Sequence, residues 1–180
     1  MPLTDSVPPQ ENITPTVSVS PPPSVLATAT PTANVIVPPR ITQTTVIDDT
    51  SQGSGINQFN YLGKGWGHQA GACGGNPCPY NSSNSWDNTI NDYVTIAFNG
   101  TQIKFYGVVG PPHGIGAFSI DGGSETMVDF YSPTEAGDTL LYTSPMLPSG
   151  QHTLQVRVTG NQSSQATWNG INPDRVDILS

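Results

Sequence analysis

The stretch "DYVTIAF" sets Val94, Ile96 and Phe98 on one face of an extended chain and Tyr93, Thr95 and Ala97 on the other. Successive side chains of a strand point to opposite faces, so this beat of two describes a strand with one buried face. The beat returns at Leu154, Val156 and Val158 in "PSGQHTLQVRVTG", and at Val176 and Ile178 in "DRVDIL". "IGAFSIDGGSETMVDFY" reads as strand, Asp-Gly-Gly turn, strand, with Asp121 in the turn. "FNGTQIKFYGVV" carries Asn99-Gly100. That pair suits the two positive φ angles of a type I′ turn, so a hairpin is expected there. "TTVIDD" opens the folded region. No window shows a helical period with caps. Short strands with frequent turns mean an all-β sandwich or barrel. First and last strands lying side by side would make it a jelly-roll β-sandwich.

The first forty residues obey a different rule. Ten of the 18 prolines lie before Arg40, in segments such as "SVSPPPSVLATATPTANVIVPPR". Proline lacks an amide proton and fixes φ, so this segment suits neither a sheet interior nor a helix. It favours an extended, polyproline-like course. Residues 1–43 therefore read as a Pro/Thr/Ser-rich linker or extended N-terminal arm, open to O-glycosylation, and residues 44–180 as the β-sandwich.

Charge narrows the partners. Lys and Arg number 5 against 13 acids, a formal net charge of −8. Phosphate binding needs clustered Lys and Arg, so nucleic acid is excluded, and an anionic membrane surface with it. There is no apolar run of about 18 residues, so no membrane insertion is expected. Charged residues make up only 10 % of the chain, and Ser, Thr, Asn, Gln and Gly must carry its solubility. That style is common among secreted proteins. The start "MPLTDSVPPQ" has no basic n-region and no apolar h-region, so it does not read as a signal peptide. The expectation is a processed form or a piece of something longer, placed outside the cell or on its surface.

The only two cysteines sit in "GACGGNPCPYNSSNSW", a loop of Gly, Asn, Pro and Ser with almost nothing to bury. Cys73 and Cys78 enclose four residues. In an oxidising setting a disulfide is expected. So small a ring removes modest chain entropy, at most roughly 2–3 kcal/mol. Its effect is local: it shapes a loop that burial cannot shape. A zinc site using Cys73, Cys78 and His68 would lack a fourth ligand, and a redox motif would want Cys-x-x-Cys.

Several segments together carry a resemblance. "VIDD", a Tyr-x-Gly-x-Gly-Trp element in "YLGKGW", "VTIAFNGTQIKFYGVV", "FSIDGGSE", "LPSGQHTLQVRVTG" and "NPDRVDIL" follow in that order. Over Thr44 to Ser180 this resembles the galactose-binding-like jelly rolls, including carbohydrate-binding modules of families 6 and 35. The most specific parts are F-x-G-T-x-I, S-I-D-G-G and L-x-x-G-x-H-T-L-x-V. These are scaffold features, so they speak for the fold more than for any ligand. The resemblance implies sugar binding without catalysis. It also implies a structural calcium where the first and last strands meet, with "NPDRVDIL" matching a final N-x-D at Asn172 and Asp174. Asp48 or Asp49 would supply the other carboxylate; oxygen ligands of this kind suit a hard cation. The plainer reading is that these acids cap turns.

Aromatic rings on Gly- and Asn-rich loops are a means of holding sugar, because a pyranose has one apolar face that stacks on a ring. The candidates are Trp66, Tyr80, Trp86 and Trp168, with Asn84, Asn169 and Asn172 close to them in sequence. Trp168 stands in the loop before the last strand, where modules of the resembled families place binding residues. Trp66 has the competing role of packing over the edge of the core. Tyr80, between Pro79 and Asn81, is expected to be exposed. His113 in "GPPHGIG" reads as a polar loop residue. Hydrolysis of a glycosidic bond needs two carboxylates flanking it. Asp48, Asp49, Asp174 and Asp177 qualify only by lying near the domain ends, and Glu125 and Asp129 are expected to face solvent. A Ser-His-Asp triad would lack its nucleophile elbow. Asn81 and Asn161 are candidate glycosylation sites; Asn12 and Asn99 also match the sequon, Asn99 in the expected tight turn.

The reading is a non-catalytic extracellular module that binds a polysaccharide or glycan through loop aromatics and Asn side chains. The alternative is a structural subunit of an extracellular fibre, sheath or adhesin. Its arm would pack on neighbouring copies or on the rest of a larger parent protein.

Overall fold

The computed structural model describes residues 42–71 and 73–180. The arm read at residues 1–43, and with it the sequon at Asn12, lies outside them but for residues 42 and 43. The described chain is built of β1 (Thr44–Asp48), β2 (Phe59–Leu62), β3 (Gly67–Ala70), β4 (Ser83–Trp86), β5 (Tyr93–Gly100), β6 (Gln102–Val109), β7 (Ile115–Ile120), β8 (Thr126–Asp129), β9 (Ala136–Thr143), β10 (Gly150–Val158) and β11 (Pro173–Leu179). A 3-10 turn at Tyr80–Ser82 precedes β4. One sheet runs β1-β11-β6-β9, a second runs β2-β5-β10-β7-β8, and β3-β4 form a ribbon. The pairings within them are antiparallel.

The beat of two fills the space between the sheets. Val94, Ile96 and Phe98 of β5 and Leu154, Val156 and Val158 of β10 are fully buried from one side. Ile103 and Phe105 of β6 and Val176 and Ile178 of β11 meet them from the other. Phe105 sets its ring edge-on to Phe118 of β7, with centroids 5.0 Å apart, and Phe130 lies 6.3 Å from it. Burying such side chains supplies about 1.5–3 kcal/mol each, which is what closes the sandwich.

The first and last strands do lie side by side, with Thr44 opposite Leu179 and Asp48 opposite Arg175. The Asp-Gly-Gly hairpin is also present: Asp121 and Gly122 have φ of 52° and 70°, and β7 pairs with β8. The Asn99-Gly100 hairpin is not. β5 and β6 belong to opposite sheets, and Asn99 pairs with Gln151 in β10 instead. Each strand finds a partner on both edges elsewhere, so the turn becomes a crossing between sheets. Gly100 answers a need for close approach: a Cβ there would lie 2.6 Å from the Leu179 carbonyl oxygen. The next residue, Thr101, donates its N–H to that same oxygen at 2.7 Å.

The register gives the sandwich two unlike ends. β2 stops at Leu62 opposite the start of β5 at Tyr93, and β10 finishes beside the start of β7. β11 begins beside the end of β6, and β9 begins there as well. Residues 63–71, 73–92, 110–114, 130–135 and 159–172 therefore gather at one end, the loop end. Residues 100–101, 121–125 and 144–149 form the opposite turn end.

Candidate functional site

At the loop end two buried carboxylates meet across the β1–β11 seam. Asp49 is 1 % exposed and Asp174 fully buried. The Asp49 N–H donates to the Asp174 carbonyl at 2.8 Å. Both side chains are bonded from the stapled loop. Asp174 accepts the Tyr80 N–H at 2.9 and 3.1 Å, and the Asp138 N–H at 2.9 Å. Asp49 accepts the Ser83 hydroxyl at 2.8 Å and the Ser85 hydroxyl at 2.5 Å. Burial pushes Asp49 up from an ordinary 3.8 to about 6, against the pull of Ser85 and Ser83. It pushes Asp174 up to about 7, against the Tyr80 and Asp138 amides. Asp48 differs. Burial works to raise it, but bonds from Thr50, Asn81 and Ser83 together hold it below the ordinary value.

Cys73 and Cys78 are bonded. Their ring sits against the start of β9: the Gly137 N–H donates to the Pro77 carbonyl at 2.8 Å, and the Asn76 N–H to Glu135 at 3.4 Å. So held, the loop hands the Tyr80 amide and the Ser83 hydroxyl to the seam acids. The loop is thus part of the scaffold. Asn81, expected to carry a glycan, donates its side-chain amide to Asp48 at 2.7 Å, while Asn161 is exposed.

Oxygen-only donors with no cationic side chain bonded to them suit a hard cation at the Asp49–Asp174 seam. Among the described residues no three His, Cys, Asp or Glu side chains converge as a cage. The seam therefore offers two carboxylates with hydroxyls and carbonyls beside them and no third acidic side chain. The basic group nearby is engaged elsewhere. Arg175 bonds Asp138 at 2.6 Å and also Asp177, and it stacks 3.6 Å over the Tyr106 ring.

The aromatic candidates all belong to the loop end. Trp66 is half-buried against the core, 4.8 Å from Tyr61, and donates its Nε1–H to the Leu62 carbonyl at 3.2 Å, so its packing role is real. Trp86 closes β4 opposite Gly67. Trp168 is half-buried and lies over Gly170, where a Cβ would come within 1.9 Å of the ring. It also stands edge-on to His113 at 5.9 Å. His113 is not an open polar residue: it is 6 % exposed, and burial pulls it down to about 4, so the ring is neutral. Tyr80, expected to be exposed, is half-buried with Arg175 5.3 Å from its ring. Asn169 donates to the Gly160 carbonyl at 3.3 Å. Asn172 is 7 % exposed, and its Oδ1 has no partner.

Ser85 links the seam to the surface. With Asp49 ionised, the Ser85 hydroxyl donates to it and accepts the Nδ1–H of His68 at 2.8 Å. The hydroxyl thus stands between acid and imidazole, whereas a catalytic triad puts the imidazole in the middle. Buried polar atoms without partners also concentrate here: Asn84 Oδ1, Asp87 Oδ2, His113 Nδ1, Ser163 Oγ and Asn172 Oδ1.

No family profile matches the chain, and no curated protein does. Solved structures do. A two-domain esterase active on acetylated mannans is similar over 77 % of this chain and 36 % of its own, at 16 % identity and a TM-score of 0.56. A Paenibacillus cycloisomaltooligosaccharide glucanotransferase is similar over 74 % of this chain and 18 % of its own, at 13 % identity and a TM-score of 0.52. The CBM36-1 domain of a multidomain xylanase from the hindgut metagenome of Trinervitermes trinervoides matches over 77 % of this chain and 97 % of its own, at 15 % identity and a TM-score of 0.45. The likeness to the first two shows the fold, a jelly-roll β-sandwich. The chain spans about a third of the length of the esterases it matches.

The sequence reading of this jelly roll left out β9, where "AGDTLLYT" has no clean alternation. It also left out the outer face of the five-stranded sheet. There Asn60, Thr95 and Gln155 stand in register across three strands, beside Tyr93 and Arg157, while Ser119 and Ala117 of β7 at the same register are buried. The signal was in the sequence as the polar half of each alternating strand, and only the strand order makes it a surface.

Proposed function

We propose that this chain is a secreted, non-catalytic module that binds a polysaccharide or glycan at its loop end, with Trp168 as the stacking platform and Asn169 and Asn172 beside it. The observation that carries the reading is the gathering of Trp66, Trp86, Trp168 and Tyr80 at one end of a jelly roll, among buried polar atoms that lack partners. An aromatic ring offers a sugar its apolar face at little entropic cost, and the half-buried Asn169 amide beside it offers its hydroxyls a partner. The likeness to carbohydrate-active structures supports the substrate class, and the disulfide supports an oxidising compartment. Calcium at the seam belongs to the same proposal as a structural ion, bound by Asp49 and Asp174.

A glycan array probed with the full chain tests the reading, followed by calorimetry on the strongest ligand with Trp168→Ala. Binding that falls about tenfold with the fold intact supports it; about 1.4 kcal/mol corresponds to that factor. No binding across plant, fungal and bacterial polysaccharides would overturn it.

A further inference from the structure

Trp86 and Trp168 are seated in the same way, each on a glycine. A Cβ at Gly67 would lie 2.5, 2.6 and 2.8 Å from Cε2, Cζ2 and Nε1 of Trp86. A Cβ at Gly170 would come closer still to Cη2, Cζ3 and Cζ2 of Trp168. Three neighbouring ring atoms over one Cβ position mean that the ring lies across the residue, an approach that only glycine permits. Each indole therefore rests one face on backbone. Both are half-buried, so the solvent they meet is at the other face and the rim.

The strands turn these two free faces the same way. Asp87, which follows β4, and Ile171 exchange N–H···O bonds at 3.1 and 2.9 Å, so residues 170–172 run as a third strand beside the β3–β4 ribbon. Ser85, Asp87 and Ile171 are fully buried and mark its inner face. Alternation then puts Trp86 and Gly170 on the outer face, with Gly67 opposite Trp86. Trp66, one residue before Gly67, packs against the core instead. Two strand spacings of about 4.8 Å and two residues along the third strand separate Gly67 from Gly170, roughly 12 Å in all. Besides the buried Asn172, the side chains that alternate onto this face are Gln69, Asn84 and Asn88. They are amides, which both donate and accept, and none is charged.

Resting on the reading that the loop end binds glycan, we infer that Trp86 and Trp168 form one two-ring platform for an internal stretch of an uncharged, extended polysaccharide. A single sugar covers one ring. A chain of several units covers both, and the amides along the strip take its hydroxyls. A polyuronate would bring carboxylates to a face whose strand positions supply no cation, on a chain of net charge −8. The platform is thus selective in two respects, for length and for neutrality.

Calorimetry on the full chain with linear oligosaccharides of one to six units, cut from xylan, mannan and glucan, tests the inference. For the best of the three, six units should bind about tenfold tighter than two, because the second ring is reached. Trp86→Ala and Trp168→Ala should each remove that gain and leave six units bound no better than two. Gly67→Ala pushes the Trp86 ring off its seat and should do the same with both tryptophans present. Melting curves check that the variants fold, and the comparison of two units with six in the unaltered chain needs no variant. Polygalacturonate should bind more weakly than the neutral six-unit chain. Equal affinity for two and six units would overturn the inference. So would six-unit binding that Trp86→Ala leaves unchanged, or polygalacturonate as the tighter ligand. Binding to none of the three series would also overturn it, whereas a positive glycan array beside that result would leave the glycan reading standing.

Discussion

The turn end and the loop end of the sandwich are held by opposite means. At the turn end the connections are short. Gly100 lets two strands cross between sheets, Asp121 and Gly122 make a hairpin, and His152 bridges Asp121 and the Pro148 carbonyl. At the loop end the connections are long, and buried carboxylates accepting amides and hydroxyls hold them. Of the six buried side-chain atoms without partners among the described residues, only Asn57 Oδ1 lies away from the loop end. An unmet buried polar group costs about 1–3 kcal/mol. One end is therefore complete as it stands, while the other keeps polar groups that an ion, water or a ligand would satisfy. Backbone geometry closes the first end and chemistry closes the second.

The largest effect should come from the core that both ends share. Phe105 is fully buried between the sheets and touches Phe118 and Phe130. Phe105→Ala should cost about 3–5 kcal/mol. Urea unfolding followed by tryptophan fluorescence reports the loop end, since all three tryptophans are there. The NMR signal of His152 reports the turn end. Both transitions should shift together. Separate midpoints would mean that the ends are independent units, and the comparison would have to be redrawn.

How much of this was legible in the sequence follows the same division. The strands were legible because burying one face leaves a period of two at Val94, Ile96 and Phe98 and again at Leu154, Val156 and Val158. Strand order was not. Asn99-Gly100 has the chemistry of a hairpin turn, yet β5 and β6 bond to other partners, and only the packing of whole sheets decides that. At the site, the residue types were legible and their burial was not. Asp49 and Asp174 could be picked out as acids near the two ends of the domain. That Tyr80, Ser83 and Ser85 would fill their acceptors depends on where a loop without a core comes to rest. That Asp87 and Asp92 lie together was invisible, because two acids five residues apart in a polar loop look like ordinary solvated acids until the turn at Gly65 comes to rest beside both.

The seam should give the next largest effect. Asp49 and Asp174 are raised from 3.8 to about 6 and about 7, so between pH 4 and pH 7 the folded state binds more protons than the unfolded one. Stability in EDTA should therefore fall as pH rises through that window and level off above about pH 7. Each pKa unit is worth about 1.4 kcal/mol, so the loss should reach a few kcal/mol. If the proposed calcium takes the place of those protons, adding it at pH 7.5 should restore most of the loss by mass action. A melting temperature independent of both pH and calcium would show that the hydrogen bonds alone satisfy these acids.

Trp168 tests the loop end as a binding surface. Its ring is half-buried over Gly170 and against His113, so Trp168→Ala should cost about 1–2 kcal/mol of stability while weakening glycan binding about tenfold. Tyr93→Ala, on the outer face of the five-stranded sheet, is the contrasting variant and should leave binding unchanged. If Tyr93→Ala abolishes binding and Trp168→Ala does not, the sheet face is the platform and the loop end is scaffold.

The smallest effect should be at the turn end, and it has the opposite sign in pH from an ordinary carboxylate pair. His152 Nδ1 lies 2.7 Å from Asp121 Oδ2, and Nε2 lies 2.8 Å from the Pro148 carbonyl oxygen. Both neighbours are acceptors, so the two bonds form together only when both ring nitrogens carry protons. The Asp121 bond and then the Pro148 bond raise the imidazole above its ordinary 6.5. The clamp is complete below pH 6.5 and is lost as pH rises through the raised folded value. In an NMR titration His152 should show a midpoint above 6.5, and Asp121→Asn should move it back toward that value. Tryptophan fluorescence, which reports the loop end, should not follow the His152 midpoint, and Asp121→Asn should leave it unchanged. A His152 midpoint at or below 6.5 would remove the clamp. A loop-end signal that shifts with His152 would show that the two ends communicate through the β7–β10 sheet, and the contrast between them would not hold.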